Sequence, residues 1–382
     1  MTDRRPLRLL AINEGIGGHD TVHLHLDVAL SARDDIDHRI VRAPDAGPIR
    51  RLLGAPIPGL DRLDLDLQPI RAQLAAAAAL RRRLRAAVEW ADVVHLYTQT
   101  AGYLSADLLA ARPLVVTTDS AASLNAYRLP YRTPTRFTAL HASVGTRLER
   151  RVLDVADVVV ANSRWVADRL AADHDLDDDV LRVQPIGIAD PGQDGPAPGI
   201  ESDRPTVVFV GRQWRRKGGD LLLDAWERDL HAHADLVMVT PEPVPNAPAV
   251  SVVGDITPGD PRLTSLLRSA AAFALPSTID QAPNAVLEAM AAGLACVVVG
   301  QGGAAEMVVD GVTGRHTEPT VESVTAAMHD VLDERARLRQ WGAAARRRFV
   351  TEFSTDVTLP RLIDACHLAV DRHRPSGAGR SV

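Results

Sequence analysis

The stretch from Leu275 to Gly303 limits the possible folds of this chain more than any other part of it. It reads LPSTIDQAPNAVLEAMAAGLACVVVGQGG. An apolar run stops at Pro276, a polar loop follows, and a helical segment opens at Pro283 and closes at Gly293 before a second apolar run. Proline at the first helical position and glycine just past the last are typical helix boundaries. The order strand, loop, helix, strand predicts an α/β fold.

The start of this helix is a predicted anion site. The first amides of a helix have no partner within it, and the positive end of the helix dipole lies behind them. We therefore expect the amides of Asn284, Ala285 and Val286 to receive a phosphate group. Two carboxylates flank the site, Asp280 in the loop and Glu288 in the helix. A ribose diol would give Glu288 its partner; alternatively, Asp280 is a helix cap and Glu288 a solvated residue.

The same pattern recurs along the chain, because strand-like apolar runs alternate with helical segments. The runs are Leu7–Ile12, Arg39–Val41, Val93–Tyr97, Leu114–Thr117 and Val158–Ala161, then Thr206–Val210, Leu236–Val239, Val250–Val253, Ala270–Leu275 and Cys296–Val299. Alternation of this kind predicts mostly parallel sheets with helices on both faces. Ligands of such sheets gather outside the carboxyl ends of the strands.

Length and composition set the domain count and exclude some classes of protein. The 382 residues are enough for two domains. A net charge of −6 gives no general affinity for nucleic acid, so phosphate binding must be local. The two cysteines, Cys296 and Cys366, do not indicate a disulfide framework, and the sequence has neither a membrane-length apolar stretch nor the apolar core of a signal peptide. We therefore expect a cytoplasmic protein.

The segment PGQDGPAPGIESDR is rich in proline, glycine and charge and lacks a hydrophobic period, which predicts a linker. The expected domains are therefore residues 1–190, a linker at 191–204, residues 205–355, a helix at 356–374 that returns to the first domain, and a flexible tail at 375–382.

In the first half, polar residues at strand ends are candidates for a ligand site. They are Gly17, Gly18, His19, His95, Gln99 and Asp119. The glycine loop is not a dinucleotide fingerprint, because the third glycine and the acidic residue after the second strand are missing. Each candidate alone could be a turn or cap residue, and Asp119 could cap the segment that follows it. Together they favour a cleft.

The second half carries a familiar combination of motifs: Gly211-Arg212, Lys217-Gly218, Pro276-Ser277, Asp280, Glu288 and Gly302-Gly303. In this order the combination resembles the family 4 retaining glycosyltransferases of the GT-B fold. The resemblance implies two Rossmann-like α/β domains that face each other across a cleft. It also implies that Arg212 and Lys217 neutralise the diphosphate of a nucleotide-sugar donor, that Glu288 binds the ribose and that Asp280 touches the transferred sugar.

Further roles follow from the same resemblance. Gly17 and Gly18 would lie on the donor side, and His19, His95 and Gln99 are candidates on the acceptor side. The chain departs from the family pattern at Asp280, where glutamate is usual, and at Asp119, where histidine is usual. We expect Asp119 to face the sugar opposite Asp280 and to accept a hydrogen bond from it.

No metal or other cofactor is expected, because two cations and a helix start would stabilise the charge of the leaving diphosphate. The alternative is a metal-dependent reaction. It rests on Asp64-Leu65-Asp66, which has the DxD form of metal-dependent glycosyltransferases of another fold.

The leading hypothesis is sugar transfer with retention from a UDP or GDP sugar to an unidentified acceptor, which could be a small molecule, a glycan or lipid-linked. A sugar-nucleotide epimerase of the same architecture and a catalytically inactive nucleotide-sugar-binding partner are the alternatives. The arginine-rich segments 69–91 and 128–151 could make a weak peripheral membrane contact, although solvated helix faces explain them as well.

Overall fold

A computed structural model describes residues 5–15, 18–45, 47–63, 65–126, 134–177, 179–192, 197–278 and 280–374. The chain folds into two compact units. The first runs up to Pro185 and resumes at Thr358, and the second comprises Ile186–Val357.

The first unit contains a parallel sheet. Its strands are β1 (Leu7–Asn13), β2 (Ile36–Arg42), β3 (Val93–Tyr97), β4 (Leu114–Thr118), β5 (Val158–Ala161) and β6 (Leu181–Val183). In the described residues the strand order is β2-β1-β3-β4-β5-β6, and every neighbouring pair is parallel. The helices are α1 (Gly18–Ser31), α2 (Pro48–Gly54), α3 (Gln68–Trp90), α4 (Gln99–Gly102), α5 (Ala106–Leu109), α6 (Ala122–Ala126), α7 (Thr138–Leu153) and α8 (Arg164–His174).

Both faces of this sheet are covered by apolar residues. Successive side chains of a strand point to opposite faces, so neighbouring residues of β1 lie in different buried clusters. In β1, Leu10 lies in one buried cluster with Leu80 and Leu84 of α3. Its neighbour Leu9 lies in a second buried cluster with Leu362 of the last helix, α15 (Thr355–Arg372). Each buried leucine stabilises the fold by roughly 1.5–3 kcal/mol. Burial on two faces explains why the strands read as continuous apolar runs.

The second unit contains another parallel sheet. Its strands are β7 (Thr206–Val210), β8 (Asp235–Val239), β9 (Val250–Val253), β10 (Ala272–Leu275), β11 (Ala295–Val299) and β12 (Gly314–Thr317). Its helices are α9 (Gly219–Arg228), α10 (Pro261–Arg268), α11 (Asn284–Ala291), α12 (Gly302–Met307), α13 (Val321–Leu332) and α14 (Arg335–Arg348), which continues into a π-helical turn, Phe349–Phe353. The strand order over the described residues is β12-β11-β10-β7-β8-β9.

Each sheet has one point where the strand order reverses, between β1 and β3 in the first unit and between β7 and β10 in the second. In open α/β sheets, ligands bind outside the carboxyl ends of the strands at such a point. The loops after β1 and β3, and those after β7 and β10, are therefore where site residues should lie. The expected α/β fold of two Rossmann-like units is confirmed.

The segment expected to be a linker, 191–204, lies within the second unit, and the chain passes between the units at Pro185–Ile186 and Val357–Thr358. Residues 198–201 form a 3₁₀ turn in which Ile200 is buried, and the amide of Ala197 donates to the carbonyl of Gly293 at 3.1 Å. Two small apolar residues among the prolines are enough to attach this segment to the core. Residues 193–196 and the expected tail from 375 onward lie outside the described residues.

The arginine-rich helix α3 uses its apolar face inside the first unit, where Leu80, Leu84 and Val88 are buried. Its Arg71 donates to the backbone carbonyls of Leu53, Ala55 and Asp66. The helix therefore has no spare apolar face for a membrane surface. Residues 127–133 of the second arginine-rich segment lie outside the described residues. No helix that the structure describes is long and apolar enough to cross a bilayer.

Candidate functional site

Two loops of the second unit meet at the reversal point between β7 and β10. Gly218 closes the loop after β7 with a φ of +76°, and a Cβ at this position would lie 2.1 Å from the carbonyl oxygen of Pro276. Because such a distance is impossible for a real side chain, the contact requires glycine. In the same loop, the buried Trp214 donates its indole N–H to the carbonyl of Pro243 at 3.2 Å. Backbone contact and a buried aromatic ring thus fix this loop in place.

The contact brings Lys217 to Asp280. Lys217 Nζ donates to Oδ2 of Asp280 at 2.9 Å, and a guanidinium nitrogen of Arg216 lies 3.7 Å from Oδ1. The Asp280 carboxylate therefore lies between two cations and does not cap α11, whose N-cap residue is Pro283. Arg216 is a site residue that the sequence reasoning missed. Its signal was its place in the basic run beside Lys217.

The side chain of Arg212, unlike that of Lys217, has no carboxylate partner among the described residues. Arg212 is exposed, and its side chain makes no hydrogen bond or ion pair within the described residues. Its backbone carbonyl accepts a bond from Thr240 Oγ1 at 3.3 Å, which fixes the main chain. The structure thus brings Lys217 to the carboxylate and leaves the Arg212 guanidinium available to a ligand.

Glu288 lies on α11 between the buried residues Leu287 and Ala289. Burial raises the pKa of Glu288 to about 7, and the charge of Lys217 partly opposes this shift. The ammonium group of Lys217 is therefore close enough to act on both carboxylates. At neutral pH, Glu288 is divided between its protonated and ionised forms.

The start of α11 differs from expectation at Pro283 and at Val286. The amide of Val286 donates to the carbonyl of Pro283 at 3.0 Å, so it is not a free donor for an anion. The first turn is closed because the Pro283 carbonyl points forward along the helix axis, towards the Val286 amide. Pro283 is the N-cap and Asn284 the first residue of α11, so the helix begins one residue later than expected.

Gln281 is a second residue that the sequence reasoning missed. It is 8% exposed, and neither its amide nitrogen nor its amide oxygen has a partner among the described residues. A buried amide without partners costs free energy, so the Gln281 side chain is a candidate contact for a polar ligand. The backbone here lies against Gly303, where a Cβ would come within 1.5 Å of the Gln281 carbonyl oxygen. That contact requires glycine at position 303, and a φ of +74° favours glycine at position 302.

In the first unit, the reversal point carries a histidine between two carboxylates. His19 Nε2 bonds to Oδ2 of Asp119 at 3.0 Å, and its Nδ1 lies 2.9 Å from Oε1 of Glu14. Burial opposes protonation of His19. The negative charges of Asp119 and Glu14 and their hydrogen bonds to His19 outweigh the effect of burial and raise the pKa of His19 to about 10. His19 is therefore an imidazolium at neutral pH.

Asp119 bonds to His19 instead of to the amides of α6, so among the described residues it does not act as the helix cap that was its alternative role. Burial alone would raise the pKa of Asp119, but His19 lowers it, and the carboxylate is ionised. Of the three side chains, Asp119 is the most exposed, at 26% against 16% for His19 and 10% for Glu14. It is the member of the cluster best placed to meet a ligand.

Glu14 was also missed by the sequence reasoning. It follows β1 directly and accepts bonds from the hydroxyls of Thr98, at 3.4 Å, and Thr100. The signal was an acidic residue at a strand end, immediately before a glycine loop. Gly18 begins α1. Gly17 lies outside the described residues.

Two expected acceptor-side residues are buried inside the first unit. Gln99 donates to the carbonyl of Ser120 at 2.8 Å and to Oε1 of the buried Glu149 at 2.6 Å. His95 bonds to Thr117 Oγ1 at 2.8 Å, and burial lowers its pKa to about 3. Each side chain makes internal hydrogen bonds, while Nδ1 of His95 and Oε1 of Gln99 have no partner among the described residues. Of the three acceptor-side candidates, His19 alone is partly exposed.

Asp66, the described aspartate of the DxD motif, does not support a metal site. The carboxylate of Asp66 is fully buried and accepts bonds from the amides of Ile57 and Gln68, each at 3.2 Å. It therefore organises the turn before α3 and is not available to a metal ion. Asp64 lies outside the described residues.

Two family models match the chain. Residues 16–190 match the model described as Glycosyltransferase Family 4, and residues 204–334 match the model described as Glycosyl transferases group 1. The two matches cover the first sheet from α1 onward and most of the second unit. The site residues of both units, apart from Glu14, fall within these matches.

Individual proteins agree with the family matches. The chain is 30% identical over 343 residues to the alpha-maltose-1-phosphate synthase of Mycobacterium tuberculosis, over 79% of this chain and 86% of that protein. Its fold is similar to the sucrose-phosphate synthase of Thermosynechococcus elongatus, with a TM-score of 0.73, 18% identity and coverage of 94% and 98%. It is also similar to Anabaena HepE in complex with UDP-glucose, with a TM-score of 0.67, 17% identity and the same coverage.

Proposed function

This chain belongs to the family 4 glycosyltransferases of the GT-B fold, and we propose that it transfers a sugar from a nucleoside diphosphate donor to an acceptor with retention of configuration at the anomeric carbon. The observation that carries the proposal is the cluster of Lys217, Asp280 and Glu288 at the reversal point of the second sheet. Retention rests on the family resemblance of the motifs.

The basic loop after β7 is the proposed diphosphate site. Lys217 and the exposed Arg212 lie in one rigid loop, with Arg216 beside them. The diphosphate gains negative charge as the bond to the sugar breaks, and cations fixed in advance stabilise this charge without reorganising. Positions 284 and 285 at the start of α11 and the buried Gln281 would add polar contacts. We infer that this set replaces a divalent ion.

The two carboxylates have separate proposed roles. Glu288, largely removed from water, would accept hydrogen bonds from the ribose hydroxyls, which would satisfy the ionised form of the group. Asp280 would contact the transferred sugar. In the free protein, Lys217 holds Asp280 at 2.9 Å. Donor binding would give Lys217 a diphosphate partner and leave Asp280 able to accept a bond from a sugar hydroxyl.

Asp119 is the proposed contact of the first unit with the sugar. An ionised aspartate accepts hydrogen bonds, so it would select a hydroxyl or ammonium group on the donor sugar. His19 holds this carboxylate through Nε2 and keeps it ionised. The chain thus has a histidine adjacent to the position where the family usually has one, which supports an active enzyme over an inactive binding partner.

The names of similar proteins suggest where to look for the acceptor. The Mycobacterium relative is named for a maltose phosphate, and the Thermosynechococcus structure for a sucrose phosphate. Small phosphorylated sugars are therefore the first acceptors to screen, followed by glycans and lipid-linked acceptors.

The test is a thermal-shift panel of UDP, GDP and ADP and their glucose conjugates, followed by product analysis with the donor that binds. A ligand that binds only the folded state raises the melting temperature, so the panel identifies the nucleotide. Transfer predicts release of the nucleoside diphosphate only when an acceptor is present. Conversion of the donor without an acceptor would indicate the epimerase, and tight binding without any conversion would indicate the inactive partner.

A further inference from the structure

A second cluster of ligating side chains lies elsewhere in the second unit. It consists of Asp229, which follows α9, His233 in the next turn, and His329 on α13. One ligand atom from each of the three lies within 4.8 Å of the other two. The sequence separation between Asp229 and His329 shows that the fold, and not a local turn, brings them together.

The three side chains of the cluster are in direct contact with one another. His329 Nε2 bonds to Oδ2 of Asp229, and the rings of His233 and His329 meet edge to face with centroids 5.0 Å apart. The second nitrogen of His329, Nδ1, lies 3.9 Å from a carboxylate oxygen of Asp333. Histidines that bind metals usually direct their other ring nitrogen to a carboxylate, and Asp333 would have to approach closer than 3.9 Å to take this role.

The cluster borders open space. His233 and His329 line a pocket of about 220 Å³ together with Asp333, Arg335 and Asp203. An ion held by the three side chains would therefore have room for water at its remaining coordination positions. Zinc ligands lie about 2.0–2.2 Å from the ion. Small rotations of these partly exposed side chains would bring the three ligand atoms to that distance.

We propose that Asp229, His233 and His329 form a binding site for a divalent transition metal ion such as Zn²⁺, Ni²⁺ or Co²⁺. Two imidazoles and one carboxylate suit these ions, whereas Mg²⁺ and Ca²⁺ prefer oxygen ligands throughout. The ion would join the end of α9 and the turn after it to α13. Its role would be structural.

The site is separate from the proposed donor site of the same unit. Lys217 precedes α9, whereas Asp229 follows it, and a helix of 10 residues spans about 15 Å. The proposal therefore does not depend on the proposed function. Removing the ion should lower the melting temperature of the protein without removing its affinity for a nucleoside diphosphate.

The experiment titrates the full chain, without a histidine tag, with Co²⁺ and follows the visible absorption of the bound ion, with Zn²⁺ as the competitor. The expected result is one ion per chain, displaced by Zn²⁺. His233→Ala and Asp229→Asn should each weaken binding at least about tenfold, since even second-shell changes have effects of this size. His231→Ala is the matched control, because His231 lies in the same turn but bonds to the carbonyl of Trp226.

Thermal melting gives a second reading of the same proposal. Saturating Zn²⁺ should raise the melting temperature of the wild type and of His231→Ala, but not that of His233→Ala. The proposal is overturned if no ion binds, if His233→Ala binds as tightly as the wild type, or if His231→Ala loses binding to the same extent.

Discussion

At the scale of single residues, the structure separates side chains that the sequence presented as equivalent. Lys217 and Arg212 both lie in the basic loop, but Lys217 bonds to Asp280 while Arg212 is exposed. His19 and His95 both follow the sequence pattern of a strand end, but His19 is a partly exposed cation and His95 is neutral and buried. Residue type and spacing in the sequence indicate where the site lies. The burial and the hydrogen-bond partners of each side chain then show which role it can have.

Lys217→Ala should weaken binding of the nucleoside diphosphate by roughly 10- to 100-fold, the value of a charged hydrogen bond. Arg212→Ala should weaken it as well, and the double variant should lose less than the sum, because both residues would contact one anion. Calorimetry with the diphosphate that binds in the panel gives these values. The control is Arg215→Ala, since Arg215 lies over the Trp214 ring, 4.4 Å from its centroid, away from Asp280. Normal affinity in both single variants would assign these cations to the surface alone.

Donor affinity should rise with pH through about 7, because the ionised form of Glu288 accepts bonds from the ribose. The pKa of Glu288 in the fold, about 7, lies above its ordinary value of 4.5. Its contribution to stability is therefore complete below about 4.5 and is lost as the pH rises through about 7. Calorimetry across this pH range should show that the donor affinity of the wild type rises with pH, whereas that of Glu288→Gln lacks this rise. An identical pH profile in the wild type and the variant would contradict the ribose role.

Asp119→Asn should cut turnover strongly while leaving the affinity for the bare nucleoside diphosphate nearly unchanged, because this contact would be to the sugar. The variant should also melt at a lower temperature near neutral pH, since His19 loses a charged partner. The pKa of His19 is raised to about 10, so the pair stabilises the protein fully below about 6.5 and loses this effect as the pH rises through about 10. The melting difference should therefore shrink at high pH. Normal turnover with reduced stability would make Asp119 purely structural.

At the scale of helices and strands, the sequence predicted the strands with apolar runs best. Strands β3, β5, β7 and β9 have the expected boundaries, because an apolar run between polar turns has few alternatives. The edge strands β6 and β12 were missed. They are short, and β12 reads GRHT, without an apolar run. Residues 321–349 form two helices, α13 and α14, separated at Asp333-Glu334, although no proline or glycine marks the break in the sequence.

The candidate site was predictable only where its residues lie in recognisable loops. Asp280, Glu288 and Lys217 follow from spacing and family resemblance. Glu14, Arg216 and Gln281 do not, because their importance comes from contacts made over long sequence distances or from burial without partners. Conversely, Gln99 lies just after β3 and His95 lies within it, and both side chains are buried in the interior. Sequence position gives the end of the sheet, and packing decides which side chains reach solvent.

The close approach of two loops gives a prediction for Gly218. Gly218→Ala should disrupt the loop, because the new Cβ would lie 2.1 Å from the Pro276 carbonyl oxygen. The matched control is Gly311→Ala, where φ is +69° but nothing lies within 4 Å. The control should lose only about 1–2 kcal/mol, the cost of a left-handed conformation for alanine. Urea unfolding should show a larger loss for Gly218→Ala, accompanied by lost donor binding. Equal losses would contradict the loop contact.

At the scale of the whole molecule, the proposed metal-independent transfer site and the proposed metal site should respond differently to a chelator. Excess chelator should lower the melting temperature, because the ion at Asp229, His233 and His329 is removed. The transfer rate at moderate temperature should stay nearly unchanged, because cations of the protein stabilise the diphosphate. Melting curves and rates measured on the same chelated sample test both statements. Loss of transfer that manganese restores would contradict metal independence.

The central claim is that the chain transfers a sugar from a nucleoside diphosphate donor with retention. The most direct measurement follows the reaction of the identified donor with phosphorylated sugar acceptors by proton and phosphorus NMR. We expect one new glycosidic product with the anomeric configuration of the donor, one nucleoside diphosphate released for each product, and a much lower rate of both with Lys217→Ala. A product of inverted configuration, or a wild-type rate no higher than that of Lys217→Ala, would contradict the claim.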